Sequence, residues 1–66
     1  MPYVNVQITK GATRQQKEAI VKEMTETLVH HLDKQKQHIH IVIQEIELED
    51  WGFSGMLTDD YIKSQQ

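Results

Sequence analysis

Met1-Pro2-Tyr3-Val4-Asn5-Val6-Gln7-Ile8-Thr9 opens the chain, and its alternation decides the architecture. Val4, Val6 and Ile8 fall on one side of an extended backbone, with Tyr3, Asn5 and Gln7 on the other, the period-two signature of a half-buried strand. Gly11 breaks the run. Thr13 follows as a helix N-cap, and Gln16, three residues on, completes a capping-box pattern. From Arg14 to about Leu32 no Pro or Gly interrupts, and Ile20, Val21, Met24, Leu28 and Leu32 make one apolar stripe at helical spacing. Lys17, Lys22, Glu23 and Glu26 lie largely off that stripe. The helix is predicted to end near Asp33, in the polar run through Gln37.

A second strand is predicted from about His38 to Glu47. Ile39, Ile41 and Ile43 share one face, while His40, Val42 and Gln44 share the other; apolar residues on both sides imply a strand more enclosed than the first. Trp51-Gly52-Phe53-Ser54-Gly55 has the glycine spacing of a tight turn or short hairpin. The polar tail from Thr58 to Gln66 is a short helix or a partly disordered end. Strand, helix and strand make a βαβ unit with parallel strands and a right-handed crossover. One helix covers only one face of two strands, so the other face must meet another subunit. The fold class is therefore α+β, one domain over residues 1–66, completed by oligomerisation.

Size supports that reading. At 66 residues the chain makes a single domain, and a domain this short buries only about 60% of its unfolded surface. There is no cysteine, so neither disulfides nor thiolate metal sites can staple it, and partner chains are left as the source of stability. The net charge is −3 with no basic cluster, which argues against nucleic-acid binding. No apolar stretch approaches the ~20 residues of a membrane span. The first residues lack the charged and apolar regions of a signal peptide. A soluble cytoplasmic protein is expected.

Pro2 is the residue with chemical potential. If Met1 is removed, Pro2 carries a secondary amine whose pKa, starting near the ~8 of an α-amino group, falls toward neutrality when buried against apolar walls. A general base works best with its pKa near the operating pH, and its conjugate acid can return the proton to carbon. If Met1 stays, the same nitrogen is an amide with no basicity.

The combination of Met1-Pro2-Tyr3-Val4-Asn5-Val6, Gly11 with Gln15-Gln16-Lys17-Glu18, Leu32-Asp33, Ile41-Val42-Ile43-Gln44-Glu45 and Trp51-Gly52-Phe53-Ser54-Gly55 resembles the 4-oxalocrotonate tautomerase family. The likeness runs from Pro2 through about Gly55. It implies an enzyme that uses an amino-terminal proline to move a proton between oxygen and carbon of an enol or dienol. Substrates would be 2-hydroxymuconate-like diacids from aromatic degradation, or simpler enolpyruvates. It implies hexamers of short subunits, or dimers of them, and no metal or organic cofactor.

The departures carry weight. Where family members place an arginine after the glycine that follows the first strand, this chain has Ala12, and a second arginine on the second strand is His40. Those arginines hold and polarise the substrate's carboxylate and carbonyl ends. The aromatic pocket wall is kept as Trp51, which also suits an oligomer contact. His40 is either an interface histidine or a carbonyl donor weaker than the bidentate fork of arginine. Lys10 and Arg14 are candidate replacement cations, although Arg14 belongs to the first helical turn and Lys10 to a strand end. Tyr3, Asn5 and Gln7 suit an interface. His30 and His31 diverge by about 100° on a helix, and with His38 they do not make the three or four converging ligands of zinc, so no metal site is expected.

The expected function is tautomerisation of a small 2-hydroxy-2-enoate, with Pro2 as acid–base, His40, Lys10 or Arg14 as carboxylate or carbonyl partners and Trp51 as apolar wall. A homo-oligomer is expected, a hexamer ahead of a dimer or trimer. The alternatives are a haloacrylate dehalogenase or hydratase, drawing on the acidic run Glu45, Glu47, Glu49 and Asp50, and a non-catalytic oligomeric binding protein of the same fold.

Overall fold

The computed structural model describes Met1–Gln66. Strand β1 spans Tyr3–Thr9, helix α1 Arg14–Leu32 and strand β2 His40–Ile46. A short antiparallel hairpin, β3 (Gly52–Phe53) and β4 (Met56–Leu57), leads into helix α2 (Thr58–Ser64). β1 and β2 pair in parallel from Tyr3 opposite His40 to Thr9 opposite Ile46.

α1 begins where the capping box puts it. The Thr13 hydroxyl accepts the Gln16 amide at 3.1 Å, and the Gln16 side chain accepts the Thr13 amide at 2.9 Å, satisfying two otherwise orphaned donors. It ends at Asp33 in the left-handed conformation (φ 53°), the amide bonded back to the Val29 carbonyl. Ile20, Met24 and Leu28 lie against Val4, Val6, Ile8, Ile41 and Ile43, all half-buried. Val21 and Leu32 sit at the edge of this layer and stay exposed. Lys17, in phase with Met24 and Leu28, belongs to the sheet-facing side instead of the solvated one.

Two expectations change for β2. The strand is shorter than His38 to Glu47, because the His38 amide bonds the Gln35 carbonyl at 2.9 Å and the Ile39 amide bonds the Lys36 carbonyl at 3.2 Å. Those donors close a 3₁₀ turn over Lys36–His38 and are lost to the ladder. A second such turn, Leu48–Asp50, takes the chain out of the sheet just after Glu47. Nor is β2 more enclosed than β1. Val42 remains 41% exposed beside Tyr3 at 62%, so the face opposite α1 is apolar in part and uncovered.

The hairpin turns through Ser54 (φ 55°) and Gly55 (φ 73°), two successive left-handed residues as a type I′ turn requires. The tail is helical. Thr58 fastens it, since both its amide (2.8 Å) and its hydroxyl donate to the Trp51 carbonyl, and Phe53 packs on Tyr61 with ring centroids 4.7 Å apart.

Thr58, at 8% exposure, is the only buried residue. The radius of gyration is 15.5 Å, against about 11 Å for a compact chain of this length. The hairpin and α2 extend away from the helix–sheet unit, so one chain forms layers without enclosing a core.

Candidate active site

Pro2 stands one residue ahead of β1. Proline suits this place, since its missing N–H is not needed at the first position of a strand. Its carbonyl still joins the ladder, accepting the His40 amide at 3.1 Å. Residue 2 is thus held by the sheet. Met1 projects beyond it, 85% exposed, and as long as Met1 is present the Pro2 nitrogen is an amide.

His40 lies opposite Tyr3. Strand alternation sets it on the outer face with Tyr3, Asn5, Gln7, Val42 and Gln44, away from α1. Gln7 and Gln44 bond across this face at 3.2 Å.

The remaining candidates lie at the other end of the strands. The Lys10 amide donates to the Ile46 carbonyl at 2.9 Å, beyond the last β1–β2 pair, and Trp51 follows β2. Seven strand residues at about 3.3 Å each separate that end from Pro2, roughly 23 Å. One chain therefore brings together Pro2 and His40 and holds Lys10, Arg14 and Trp51 apart from them. No cavity of the single chain is lined by Pro2, His40 or Trp51.

Both candidate cations are already paired. Lys10 Nζ meets Glu47 Oε1 at 3.2 Å, and Arg14 Nε meets Glu18 Oε1 at 3.3 Å with its side chain 91% exposed. Arg14 thus points to solvent, as its place in the first helical turn suggested. Ala12 is half-buried in the turn between β1 and α1.

Glu45 organises that turn, a role the sequence reading missed. It occupies the helix-facing side of β2, in phase with Ile41 and Ile43. One carboxylate oxygen takes a short hydrogen bond from Lys17 Nζ, and the other accepts the Gly11 amide at 3.2 Å. The Lys17 bond first and the Gly11 amide second hold the Glu45 carboxyl below its ordinary value. The signal was present in the phases: a lysine on the apolar stripe of α1 and a glutamate on the apolar face of β2 must meet in the layer between them.

No three His, Cys, Asp or Glu side chains converge as metal ligands would, and His30 and His31 stack edge to face with centroids 4.8 Å apart. No helix is long and apolar enough to cross a membrane.

The family profile described as tautomerase enzyme matches residues 2–61, and the chain belongs to that family. It is 37% identical over 60 residues to a probable tautomerase of Listeria monocytogenes, covering 91% of this chain and 98% of the relative. It is 29% identical over 56 residues to the 2-hydroxymuconate tautomerase of Pseudomonas putida, covering 85% and 89%. Among solved structures, a 4-oxalocrotonate tautomerase isozyme from Methylibium petroleiphilum superposes with a TM-score of 0.92 at 25% identity, over 96% of this chain and 98% of that one. A heterohexamer 4-oxalocrotonate tautomerase from Chloroflexus aurantiacus has the same fold, with a TM-score of 0.85 at 17% identity over 91% and 97%.

Proposed function

We propose that this chain is a cytoplasmic, proline-based keto–enol tautomerase of small 2-hydroxy-2-enoates, active as a homo-oligomer after loss of Met1. The observation that supports the reading is the ladder bond from the His40 amide to the Pro2 carbonyl, which holds residue 2 in the sheet instead of on a frayed tail. The free amine takes the proton of the enol hydroxyl; the oxygen's electrons form the carbonyl as the double bond shifts. The prolinium then delivers the proton to the carbon at the far end of that double bond, and the amine is regenerated. His40 would be the donor to the developing carbonyl.

Trp51 would close the pocket only from another copy, because its own chain holds it roughly 23 Å from Pro2 by the strand rise. The uncovered outer face with Tyr3 and Val42 and the lack of an enclosed core favour such an assembly, a hexamer ahead of a dimer or trimer. Glu45 and Glu47 are paired with Lys17 and Lys10, and Ala12 and His40 stand where the arginines that would polarise a haloacrylate are expected, which disfavours a hydratase or dehalogenase.

Ala12 offers no cation, and Lys10 and Arg14 are neutralised, so a monocarboxylate such as an aryl enolpyruvate suits the site better than a diacid. Comparing kcat/KM for phenylenolpyruvate and 2-hydroxymuconate tests this. A strong preference for the diacid contradicts it.

A further inference from the structure

An anionic substrate needs a cation near the base. Of the seven lysine and arginine residues, Lys10, Arg14, Lys17 and Lys22 are taken up in ion pairs with Glu47, Glu18, Glu45 and Glu26. Lys63 sits on α2, beyond the end of the sheet opposite Pro2. Only Lys34 and Lys36 are both unpaired and at the Pro2 end of the fold.

Their placement follows from the chain path. α1 runs back along the sheet and ends at Leu32, and the connection through Lys34 and Lys36 must deliver the chain to His40, the residue bonded to Pro2. The bonds from His38 to Gln35 and from Ile39 to Lys36 curl this connection into a turn at the head of β2, so Lys36 stays close to that edge. Both lysines are exposed. Asp33 is the only acid between Leu32 and Glu45, whereas the opposite end of the sheet gathers Glu45, Glu47, Glu49, Asp50, Asp59 and Asp60. The molecule is polarised, with the unpaired Lys34 and Lys36 at the Pro2 end and the unpaired acids Glu49, Asp50, Asp59 and Asp60 at the far end.

We infer that Lys34 and Lys36 are the specificity-determining cations that draw a substrate carboxylate to the Pro2 edge, in place of any contribution from Lys10 or Arg14; this rests on the proposed tautomerase reading. Exposed ammonium groups make weak individual pairs, so the two act by raising the local concentration of the anion and are screened by salt. His40, next along the strand, then receives the carbonyl. Two point charges without a bidentate fork hold a single carboxylate loosely and place no second cation at the distal end of a diacid.

The test uses the Met1-free protein and a Lys34→Gln, Lys36→Gln double variant. With phenylenolpyruvate at about 0.01 M ionic strength, where charges act over about 30 Å, KM is expected to rise roughly five- to tenfold with kcat held within about twofold. At about 1 M salt the difference should vanish. The double arginine variant should restore the parent KM, and Lys63→Gln should leave it unchanged. A second readout does not depend on turnover: 3-phenylpropanoate, an unreactive carboxylate, should shift the His40 amide resonance in Pro2→Ala protein, and the double glutamine variant should lose that shift. An unchanged KM at low salt together with an unchanged shift, or a loss that follows Lys10→Gln instead, overturns the inference. Absence of turnover in the parent protein refutes the tautomerase reading separately, and a kcat/KM unchanged in Pro2→Ala refutes Pro2 as its base; in either case the carboxylate shift still judges the lysines.

Discussion

The amide of His40 donates to the carbonyl of Pro2 at 3.1 Å, which draws residue 2 into the parallel ladder two positions from the chain start. A terminal residue is ordinarily frayed. Here the nitrogen that loss of Met1 would free lies in the same residue as a paired carbonyl, joined to it through one Cα, and the imidazole of His40 belongs to the same partner residue. The constellation is small, and each part of it can be perturbed alone.

His40→Ala removes the imidazole and leaves the backbone bond to Pro2 intact. If the side chain polarises the substrate carbonyl, kcat should fall by roughly a hundredfold on phenylenolpyruvate, the lower end for loss of one donor at a developing charge. An unaltered kcat with an altered oligomer would assign His40 to the interface instead.

The outer face of the sheet carries Tyr3 and Val42 exposed beside Gln7 and Gln44. Val42→Asp would put a charge in the middle of whatever covers this face, where an unpaired charge is strongly unfavourable. Sedimentation velocity should then show smaller species than the parent, with a lower Tm. An assembly of unchanged size would mean that copies associate through another surface.

Glu45 ties Gly11 and Lys17 together as a carboxylate, and its pKa is lowered from 4.5 by those partners. A depressed carboxyl pKa stabilises the fold above its unfolded value, and that contribution is lost as pH falls through the folded value. The parent's Tm should therefore drop as the medium is acidified below about 4.5. Glu45→Gln should begin lower at pH 7 and flatten that acid limb. Parallel Tm–pH curves for the two proteins would show that the carboxylate does not fasten the turn.

Much of the fold was legible in the residues themselves. The alternation of Val4, Val6 and Ile8 and the Thr13–Gln16 capping box are local signals, and β1 and α1 have the bounds they imply. β2 was overextended at both ends, because 3₁₀ turns at Lys36–His38 and Leu48–Asp50 compete for backbone donors without altering the apolar pattern. The candidate site was legible only in part. Pro2 and His40 could be singled out from position and likeness, whereas Lys10, Arg14 and Trp51 lie at the other end of β1 in one chain, so any meeting with Pro2 depends on contacts between copies, which a single sequence does not display. The Lys17–Glu45 link escaped because both residues look like solvated charges until their phases on α1 and β2 are compared.

The central claim is that the Pro2 nitrogen is the acid–base group. Its most direct test is kcat/KM on phenylenolpyruvate for protein shown by intact mass to lack Met1, set beside Pro2→Ala protein trimmed in the same way. The account predicts a loss of roughly a hundredfold to ten-thousandfold in Pro2→Ala, the range of a positioned general base. Equal rates in the two proteins would contradict it.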